Sequence, residues 1–376
     1  MSTIDFTSFL KLMAHQKASD LFITAGMPPA MKVHGKIQPI TQNALTPQQS
    51  RDLVLNVMTP AQREEFEKTH ECNFAIGVSG VGRFRVSCFY QRNQVGMVLR
   101  RIESKIPTVE ELALPPIIKT LAMTKRGIII FVGATGTGKS TSLAAMIGYR
   151  NQNSTGHIIT IEDPIEFVHK HEGCIITQRE IGIDTDSWEN ALKNTLRQAP
   201  DVILIGEVRD RETMEHAIAF AETGHLVMCT LHANSTNQAL DRIINFFPEE
   251  RRAQLLMDLS LNLRAMVSQR LIPFKDRKGR IPAIEILINN PLISDLVFKG
   301  EVHEIKEVMK RSREQGMQTF DQSLFDLHER EQISYEDALR NADSVNDLRL
   351  QIKLNSKLSG GVAGIHKGIE HLGLAG

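Results

Sequence analysis

Apolar and polar residues alternate with two different periods in the first hundred residues of the chain. In the segment FTSFLKLM (6–13), apolar residues fall at i, i+3, i+4 and i+7, which is the spacing of one face of an amphipathic helix. In RFRVSCFYQ (83–91) apolar residues instead occupy alternate positions, as in a half-buried strand. Residues 1–102 are therefore predicted to form a small α+β unit.

From about residue 117 to 290 the pattern changes to short apolar runs separated by helical patterns. The runs are GIIIFVG, HIITIED, DVILIGE, HLVMCTL and IPAIEILI. Each is almost continuously apolar, which is typical of parallel strands covered on both faces. Strands that alternate with helices predict an α/β fold with a doubly wound sheet.

Two of the intervening helices can be described from their apolar faces. The first is expected to follow an N-cap at Ser187. Its predicted inward positions are Ala191, Leu192, Thr195, Leu196 and Ala199. The predicted inward positions of the second are Met214, Ala217, Ile218 and Ala221.

Changes in composition predict the boundaries between the parts of the chain. Residues 103–116 combine prolines and charges that fit neither period, so they are predicted to be a linker. Residues 117–350 hold the α/β pattern followed by a helical one. Residues 351–376 are predicted to be a glycine-rich tail.

Composition places the chain among ordinary globular proteins. Hydrophobic residues make up 41% of its 376 residues, and 44 basic residues balance 44 acidic ones. This balance gives no general attraction to nucleic acid or anionic lipid. The four cysteines form no C-x-x-C pair, which argues against a zinc site and a disulfide framework. We expect no signal peptide and no membrane span, and hence a cytoplasmic protein.

The segment GATGTGKST follows the apolar run GIIIFV and precedes a helical pattern with Leu143, Met146 and Ile147 on its inner face. Glycines let successive backbone N–H groups converge on an anion, and the helix N-terminus adds the positive end of its dipole. The lysine can reach β- and γ-phosphates, and the serine hydroxyl can ligate Mg²⁺. The predicted nucleotide-binding residues are Gly133, Ala134, Thr135, Gly136, Thr137, Gly138, Lys139, Ser140 and Thr141.

Carboxylates follow two of the predicted strands. Glu207 ends DVILIGE, where we expect it to emerge beside the phosphate loop on the adjoining strand and to steady Mg²⁺ or align water. The alternative is an ordinary solvated strand end. The segment TIEDPIEF holds Glu162, Asp163 and Glu166, which either bind Mg²⁺ through water and activate the nucleophile or form a capped turn.

Histidines and arginines complete the candidate chemistry. His225 and His232 lie seven residues apart on one predicted strand and should face opposite sides, so that one faces the γ-phosphate and the other the core. Arg197 and Arg209 flank the second carboxylate strand. An arginine from a neighbouring subunit or domain can neutralise charge growing on a phosphate, and Arg83, Arg85, Arg100, Arg101, Arg197 and Arg209 are candidates.

Together these segments resemble a known family. GATGTGKST, ITIEDPIEFVH, LRQAPDVILIGEVRD and ETGHLVMCTLHANS are similar, in order, to the Walker A, Asp box, Walker B and His box of secretion ATPases. Within that superfamily the chain most resembles the type IV pilus retraction ATPases of the PilT/PilU group, from ASDLFITAGMPPAMKVHG to GMQTFDQSLFDL. The resemblance implies a PAS-like N-terminal domain linked to a RecA-like ATPase domain, a hexameric ring, and ATP with Mg²⁺ between the domains.

The same resemblance implies roles for individual residues. Glu207 would be the catalytic carboxylate, Glu166 its Asp-box helper, and His225 and His232 the His-box pair. The Mg²⁺ set would be Ser140, Glu166 and Glu207, partly through water. Arg83 and Arg85 lie in the segment that family members use to approach the nucleotide.

Two departures favour the PilU branch. PLISDLVFKGEVHEI has Leu292, Ile293 and Ser294 where PilT-like chains carry Ala-Ile-Arg, and the glycine-rich tail is longer. The resemblance then implies an accessory motor at the pilus base beneath the inner membrane, with a second PilT-like ATPase and a platform protein as partners.

Three alternatives remain open at this point. The first is an ATPase for pilus assembly or type II secretion, which the missing cysteine pairs disfavour. The second is a motor that translocates nucleic acid, disfavoured by the lack of a basic stripe and by an aromatic content of 5%. The third is a non-hydrolysing adaptor, against which the full set of candidate residues argues.

Overall fold

The computed structural model of the chain describes residues 6–102 and 105–358. These form two compact units. Unit 1 consists of the chain up to Ile106 together with Pro164–His169 and Gln178–Ser187, and unit 2 of Pro107–Asp163, Lys170–Thr177 and the chain from Trp188 onward.

Unit 1 is an α+β unit, as predicted. Its elements are α1 (Phe6–His15), β1 (Asp20–Thr24), β2 (Ala30–Val33), β3 (Lys36–Pro39), α2 (Pro47–Asn56), α3 (Pro60–Thr69), β4 (Glu71–Val78), β5 (Gly82–Gln91) and β6 (Gln94–Ile102). The strands form one sheet in the order β3-β2-β1-β6-β5-β4, and every pair in it is antiparallel. Phe9, Leu10 and Met13 of α1 are buried, so the predicted amphipathic helix is confirmed.

Unit 2 contains the α/β pattern and the C-terminal helices. Its elements are α4 (Ile117–Ala122), β7 (Gly127–Val132), α5 (Lys139–Asn153), β8 (Gly156–Glu162), β9 (Cys174–Glu180, whose last three residues count with unit 1), α6 (Trp188–Thr195), β10 (Val202–Ile205), α7 (Arg211–Glu222), β11 (Leu226–Leu231), α8 (Thr236–Phe246), α9 (Glu249–Asn262), β12 (Leu263–Pro273), β13 (Arg280–Ile288), α10 (Pro291–Lys299), α11 (Ile305–Arg311), α12 (Phe320–Glu329), α13 (Tyr335–Arg340) and α14 (Val345–Asn355). The α/β class predicted from the sequence is confirmed.

The second sheet has the order β13-β12-β7-β11-β10-β8-β9. Strand β12 is parallel to β7, β7 to β11, β11 to β10 and β10 to β8, whereas β13 runs antiparallel to β12. The prediction that IPAIEILI is one more parallel strand is therefore wrong. Strand β12 was not predicted from the sequence, because Ser268, Gln269 and Arg270 interrupt its apolar run.

The predictions for the two helices differ in accuracy. All inward positions expected of α7 are buried. Helix α6 buries Ala191, Leu192 and Thr195 but ends there, so Leu196 is 39% exposed and Ala199 adopts a φ of 51°. Ala199 precedes Pro200, and a residue before proline is disfavoured in the right-handed helical region.

The structure differs from the prediction at the end of the linker and at the start of the tail. Residues 107–116 belong to unit 2, where Val109 and Leu114 are part of the hydrophobic core. At the other end, α14 continues to Asn355 and buries Ile352, so the helical part extends past residue 350. The remainder of the predicted tail, residues 359–376, lies outside the described residues. Among the residues that the structure describes, no helix is long and apolar enough to cross a membrane.

Candidate functional site

The glycine-rich segment forms a tight loop between β7 and α5. Gly138 is the N-cap of α5 with a φ of 88°, and a Cβ there would lie 2.8 Å from Nε2 of Gln269. A Cβ on Gly133 would lie 2.4 Å from Oγ1 of Thr137. Glycine is therefore required at both ends of the loop by close approach and not only by composition. The loop keeps its backbone against the start of a helix of 15 residues.

Lys139, the first residue of α5, is 8% exposed. Its Nζ donates hydrogen bonds to the carbonyl oxygens of Gly133 (2.7 Å) and Ala134 (3.0 Å). The ammonium is thereby held against the backbone of the loop, and Lys139 itself is the first residue of α5. A positive charge at the N-terminus of a helix is an arrangement that favours phosphate.

Ser140 lies in the first turn of α5 and is half-buried. Its position fits a ligand to a cation that also contacts a phosphate on the loop. Within residues 6–102 and 105–358, no three His, Cys, Asp or Glu side chains lie close enough together to hold a metal by themselves.

The candidate carboxylate is one strand further from the loop than predicted. Glu207 follows β10, and β11 lies between β10 and β7. The expectation that Glu207 stands on the adjoining strand is therefore wrong. The residue that directly follows the adjoining strand is His232, after β11.

The side chains of Glu207 and His232, which follow β10 and β11, contact each other. Nε2 of His232 lies 3.3 Å from Oε1 of Glu207, while Nε of Arg209 donates to Oε2 of Glu207 at 2.8 Å. Nη1 of Arg209 also lies 3.5 Å from Oδ2 of Asp163, which follows β8. The hydrogen bond to Glu207 raises the pKa of Arg209. Side chains from three strand ends thus form one charged cluster at the carboxyl edge of the sheet.

A cleft of about 500 Å³ opens between the loop and the start of α8. Ala134 and Thr135 bound it on one side, and His232, Asn234, Gln238 and Arg242 on the other. The imidazole of His232 thus lines a space next to the phosphate loop. A group placed there would meet a histidine and an arginine.

His225 and Arg197 lie at the opposite edge of the same sheet. His225 precedes β11, and its Nδ1 lies 3.1 Å from the carbonyl oxygen of Phe220 and 3.0 Å from Oγ1 of Thr223. Arg197 is exposed in the short 3₁₀ turn before β10. The phosphate loop leaves β7 at the carboxyl edge, so neither residue belongs to the nucleotide site of its own chain. The structure therefore does not bring together His225 and His232, the two histidines of the predicted His box.

Glu166, Arg83 and Arg85 belong to unit 1. Glu166 is exposed, whereas Ser140 and Glu207 are part of unit 2. Arg83 and Arg85 alternate with buried Phe84 and Val86 on β5, so both project from the face opposite the core.

Those two arginines share their face with other charged groups. Arg85 stands opposite Arg100 across the β5–β6 pair. Burial raises the pKa of Glu180, and the nearby charges of Arg85 and Arg83 oppose that rise. Among the described residues, Nε of Arg83 is buried without a hydrogen-bond partner. On the same face Nε of Arg100 pairs with Oδ1 of Asp20 at 2.9 Å, so the arginines there stand beside acidic groups.

Reasoning from the sequence missed the roles of two residues of the site. Asp163 was considered only as one of three carboxylates that bind Mg²⁺ or form a capped turn, and not as the partner of Arg209. Gln269 lies on β12, which was not predicted as a strand, so no signal pointed to it. Its side chain contacts both the loop and α5.

The sequence of the chain is similar to those of known proteins. Residues 4–332 match the family model described as Type II/IV secretion system protein. The chain is 67% identical to the type IV pilus ATPase PilU of Pseudomonas aeruginosa over 354 residues, which is 94% of this chain and 93% of that one. It is 42% identical to the retraction ATPase PilT of the same organism, over 90% of this chain and 98% of that one.

Solved structures give the same picture. The crystal structure of the pilus retraction motor PilT with bound ADP superimposes with a TM-score of 0.86 at 40% identity, covering 93% of this chain and all of that chain. The ATPase DotB of Legionella pneumophila superimposes with a TM-score of 0.77 at 26% identity, covering 89% of this chain and 94% of that one.

Proposed function

The chain belongs to the type II/IV secretion system protein family, and we propose from this premise that it is an ATP-hydrolysing motor of the type IV pilus machine that drives or assists pilus retraction. It is a close relative of PilU, a type IV pilus ATPase. The observation that carries the proposal is the carboxyl edge of the second sheet. There the loop that follows β7 is joined to a buried lysine, and His232, which follows the adjoining strand β11, contacts Glu207.

We propose that residues Gly133 to Thr141 hold the phosphates of ATP. The backbone N–H groups of the loop and the first turn of α5 would face the β-phosphate, and Lys139 would exchange its carbonyl partners for phosphate oxygens. Mg²⁺, when bound, would neutralise phosphate charge, and Ser140 is the residue that we assign to hold it. The ADP bound in the PilT structure supports this assignment.

We assign to Glu207 the task of orienting and polarising the attacking water. His232 and Arg209 fix both oxygens of its carboxylate, which limits the directions from which it can accept a proton. Asp163 positions Arg209 from the other side. Glu166 as a helper of Glu207, and Arg83 and Arg85 as groups that approach the nucleotide within the chain or from a neighbouring subunit, stay predictions.

At the level of architecture we propose a PAS-like domain for unit 1 and a RecA-like ATPase domain for unit 2. We also propose a homohexameric ring at the cytoplasmic side of the pilus base. ATP can change the arrangement of the two domains only if it binds one arrangement more tightly than the other. Passing that change around the ring would move a platform protein in the inner membrane and withdraw pilin from the fibre.

The departures from the PilT pattern support an accessory role beside a second, PilT-like ATPase. In α10, Ile293 is buried and Oγ of Ser294 donates to the carbonyl oxygen of Ser260 in α9 at 2.7 Å. A serine there binds the neighbouring helix at close range, where the PilT pattern has an arginine. Leu292, in contrast, is 52% exposed.

The function is tested first with the purified full chain. We expect it to release phosphate from Mg·ATP without stimulation by DNA. Absence of labelled-nucleotide uptake at millimolar Mg²⁺ would refute the motor, and DNA-stimulated hydrolysis with steep salt dependence would favour a nucleic-acid motor.

The role in the cell is tested by deleting the gene and counting surface fibres. We expect excess fibres and impaired retraction, whereas loss of fibres would indicate an assembly ATPase. Retraction force measured with and without a second retraction ATPase then separates the two retraction roles. Retraction by this protein alone would contradict the accessory role.

A further inference from the structure

Gln269 is the one residue of β12 whose carboxamide joins two parts of the phosphate-binding segment. It is 3% exposed. Its Nε2 donates to the carbonyl oxygen of Thr137 in the loop at 2.7 Å, and its Oε1 accepts from Oγ of Ser142 in α5 at 2.8 Å. One buried side chain therefore fixes the loop and the helix that follows it to the same strand.

The backbone of the loop is shaped around this residue. A Cβ on Gly138 would lie 2.8 Å from Nε2 of Gln269, and a Cβ on Gly133 would lie 2.9 Å from its carbonyl oxygen. Both outer glycines of the loop thus make room for Gln269. The contact is on the side of the loop that faces the sheet, whereas Ala134, Thr135 and Gly136 are exposed.

The strand that carries Gln269 is itself fixed on its other face. Arg270 donates to the carbonyl oxygens of Asn341 (2.6 Å) and Asn234 (3.0 Å) and pairs with Asp343 at 2.7 Å. Its guanidinium also lies 3.9 Å from the centre of the Phe320 ring. Asn234 bounds the cleft beside the loop. Two consecutive residues of β12 therefore hold both loops that border the cleft.

We propose that Gln269 is a positioning residue of the nucleotide site, which holds the phosphate loop in the conformation that presents its N–H groups to ATP. The inference rests on the proposed ATPase function. The amide of Gln269 donates to Thr137 through Nε2 and accepts from Ser142 through Oε1 at the same time. A carboxylate would oppose the Thr137 carbonyl and repel phosphate, and an apolar side chain would leave a buried carbonyl without its donor.

The test uses Gln269→Leu in the full chain, with Ser268→Ala as the matched control. Ser268 is the preceding residue of β12, is fully buried, and its Oγ has no hydrogen-bond partner within the described part of the chain. Fluorescent ADP and unlabelled ATP, ADP and AMP are titrated against each variant, and the melting temperature is measured. We expect Gln269→Leu to weaken ATP and ADP about 10- to 100-fold and AMP much less, and Ser268→Ala to bind like the wild type.

The outcomes separate this inference from the function on which it depends. A wild-type protein that binds no ATP refutes the ATPase, whereas a wild type that binds ATP and a Gln269→Leu variant with equal affinity refute only the role of Gln269. An equal loss for AMP, ADP and ATP would also refute it, because it would show a general structural defect. If Gln269→Leu does not fold, Ser142→Ala removes one of the two hydrogen bonds, and unchanged ADP affinity in that variant contradicts the proposal.

Discussion

The two edges of the seven-stranded sheet are built from similar residues but use them differently. At the carboxyl edge, Asp163, Glu207, Arg209 and His232 bind one another through their side chains. At the amino edge, histidines, an aspartate and an arginine also stand at the strand ends, yet the hydrogen-bonded ones bind mainly to backbone. Residue type alone therefore does not distinguish a reactive edge from a structural one.

The amino edge shows what a structural use of these residues involves. Oδ2 of Asp201 accepts from the backbone N–H of His157 at 2.8 Å, and a Cβ on Gly156 would lie 2.5 Å from the same oxygen. The ring of His157 lies 2.9 Å from the carbonyl oxygen of Gln198 and 2.8 Å from Oγ1 of Thr177. Both side chains therefore serve hydrogen bonds within the fold.

The largest effect expected at the carboxyl edge is that of Lys139→Ala. The variant loses the only charge that lies directly on the loop among the described residues, so nucleotide affinity should fall about a thousand-fold and hydrolysis should disappear. Binding of fluorescent ADP measures it. An affinity near that of the wild type would show that the loop does not hold phosphate.

Glu207→Gln should separate binding from chemistry. The amide keeps the size of the side chain but cannot take a proton from water, so we expect ATP binding to persist and kcat to fall about a hundred-fold or more. Stopped-flow binding and steady-state phosphate release on the same preparation measure both. Turnover at the normal rate would show that another group activates the water.

The two histidines that flank β11, His225 and His232, give the most direct comparison of the edges. His232→Ala should lower kcat about ten-fold, because Glu207 loses one of the groups that orient it. His225→Ala, at the other end of the same strand, should leave kcat within about two-fold of the wild type, since its ring binds Phe220 and Thr223. Equal losses in the two variants would contradict the division between the edges.

The smallest effect is expected from aspartates at matched positions. Asp201→Ala removes an exposed hydrogen bond to His157, so it should lower the free energy of unfolding by about 1 kcal/mol and leave ATPase activity unchanged. Asp163→Ala should change activity more than stability, because its partner is Arg209. Urea unfolding and phosphate release are measured for both variants. The comparison shows whether Asp201→Ala affects mainly stability and Asp163→Ala mainly activity.

What the sequence could predict depended on how far each pattern reached along the chain. The phosphate loop was found because one local segment contains strand, glycines, lysine and helix. The neighbours of Glu207 were misjudged because strand order is not encoded in any single segment, and β11 lies between β7 and β10. Strand β12 was missed because the polar residues that serve the site, above all Gln269, break its apolar pattern.

The prediction for the two histidines was inaccurate for a related reason. Spacing along the chain correctly separated His225 from His232, but placing them on two faces of a strand ignored the length of β11, which ends between them. The linker was misjudged because Val109 and Leu114 supply two isolated core contacts without a regular period. Packing, and not local propensity, decided both cases.

The division of the chain into units bears on the order in which the protein is made. Unit 1 includes Pro164–His169 and Gln178–Ser187, so the ribosome must synthesise β7, α5, β8 and β9 before its last residues emerge. Inside those late stretches, the amide of Gln178 accepts from the backbone of His169 and donates to that of Phe167. The amino-terminal unit therefore cannot complete its structure before half of the polypeptide exists.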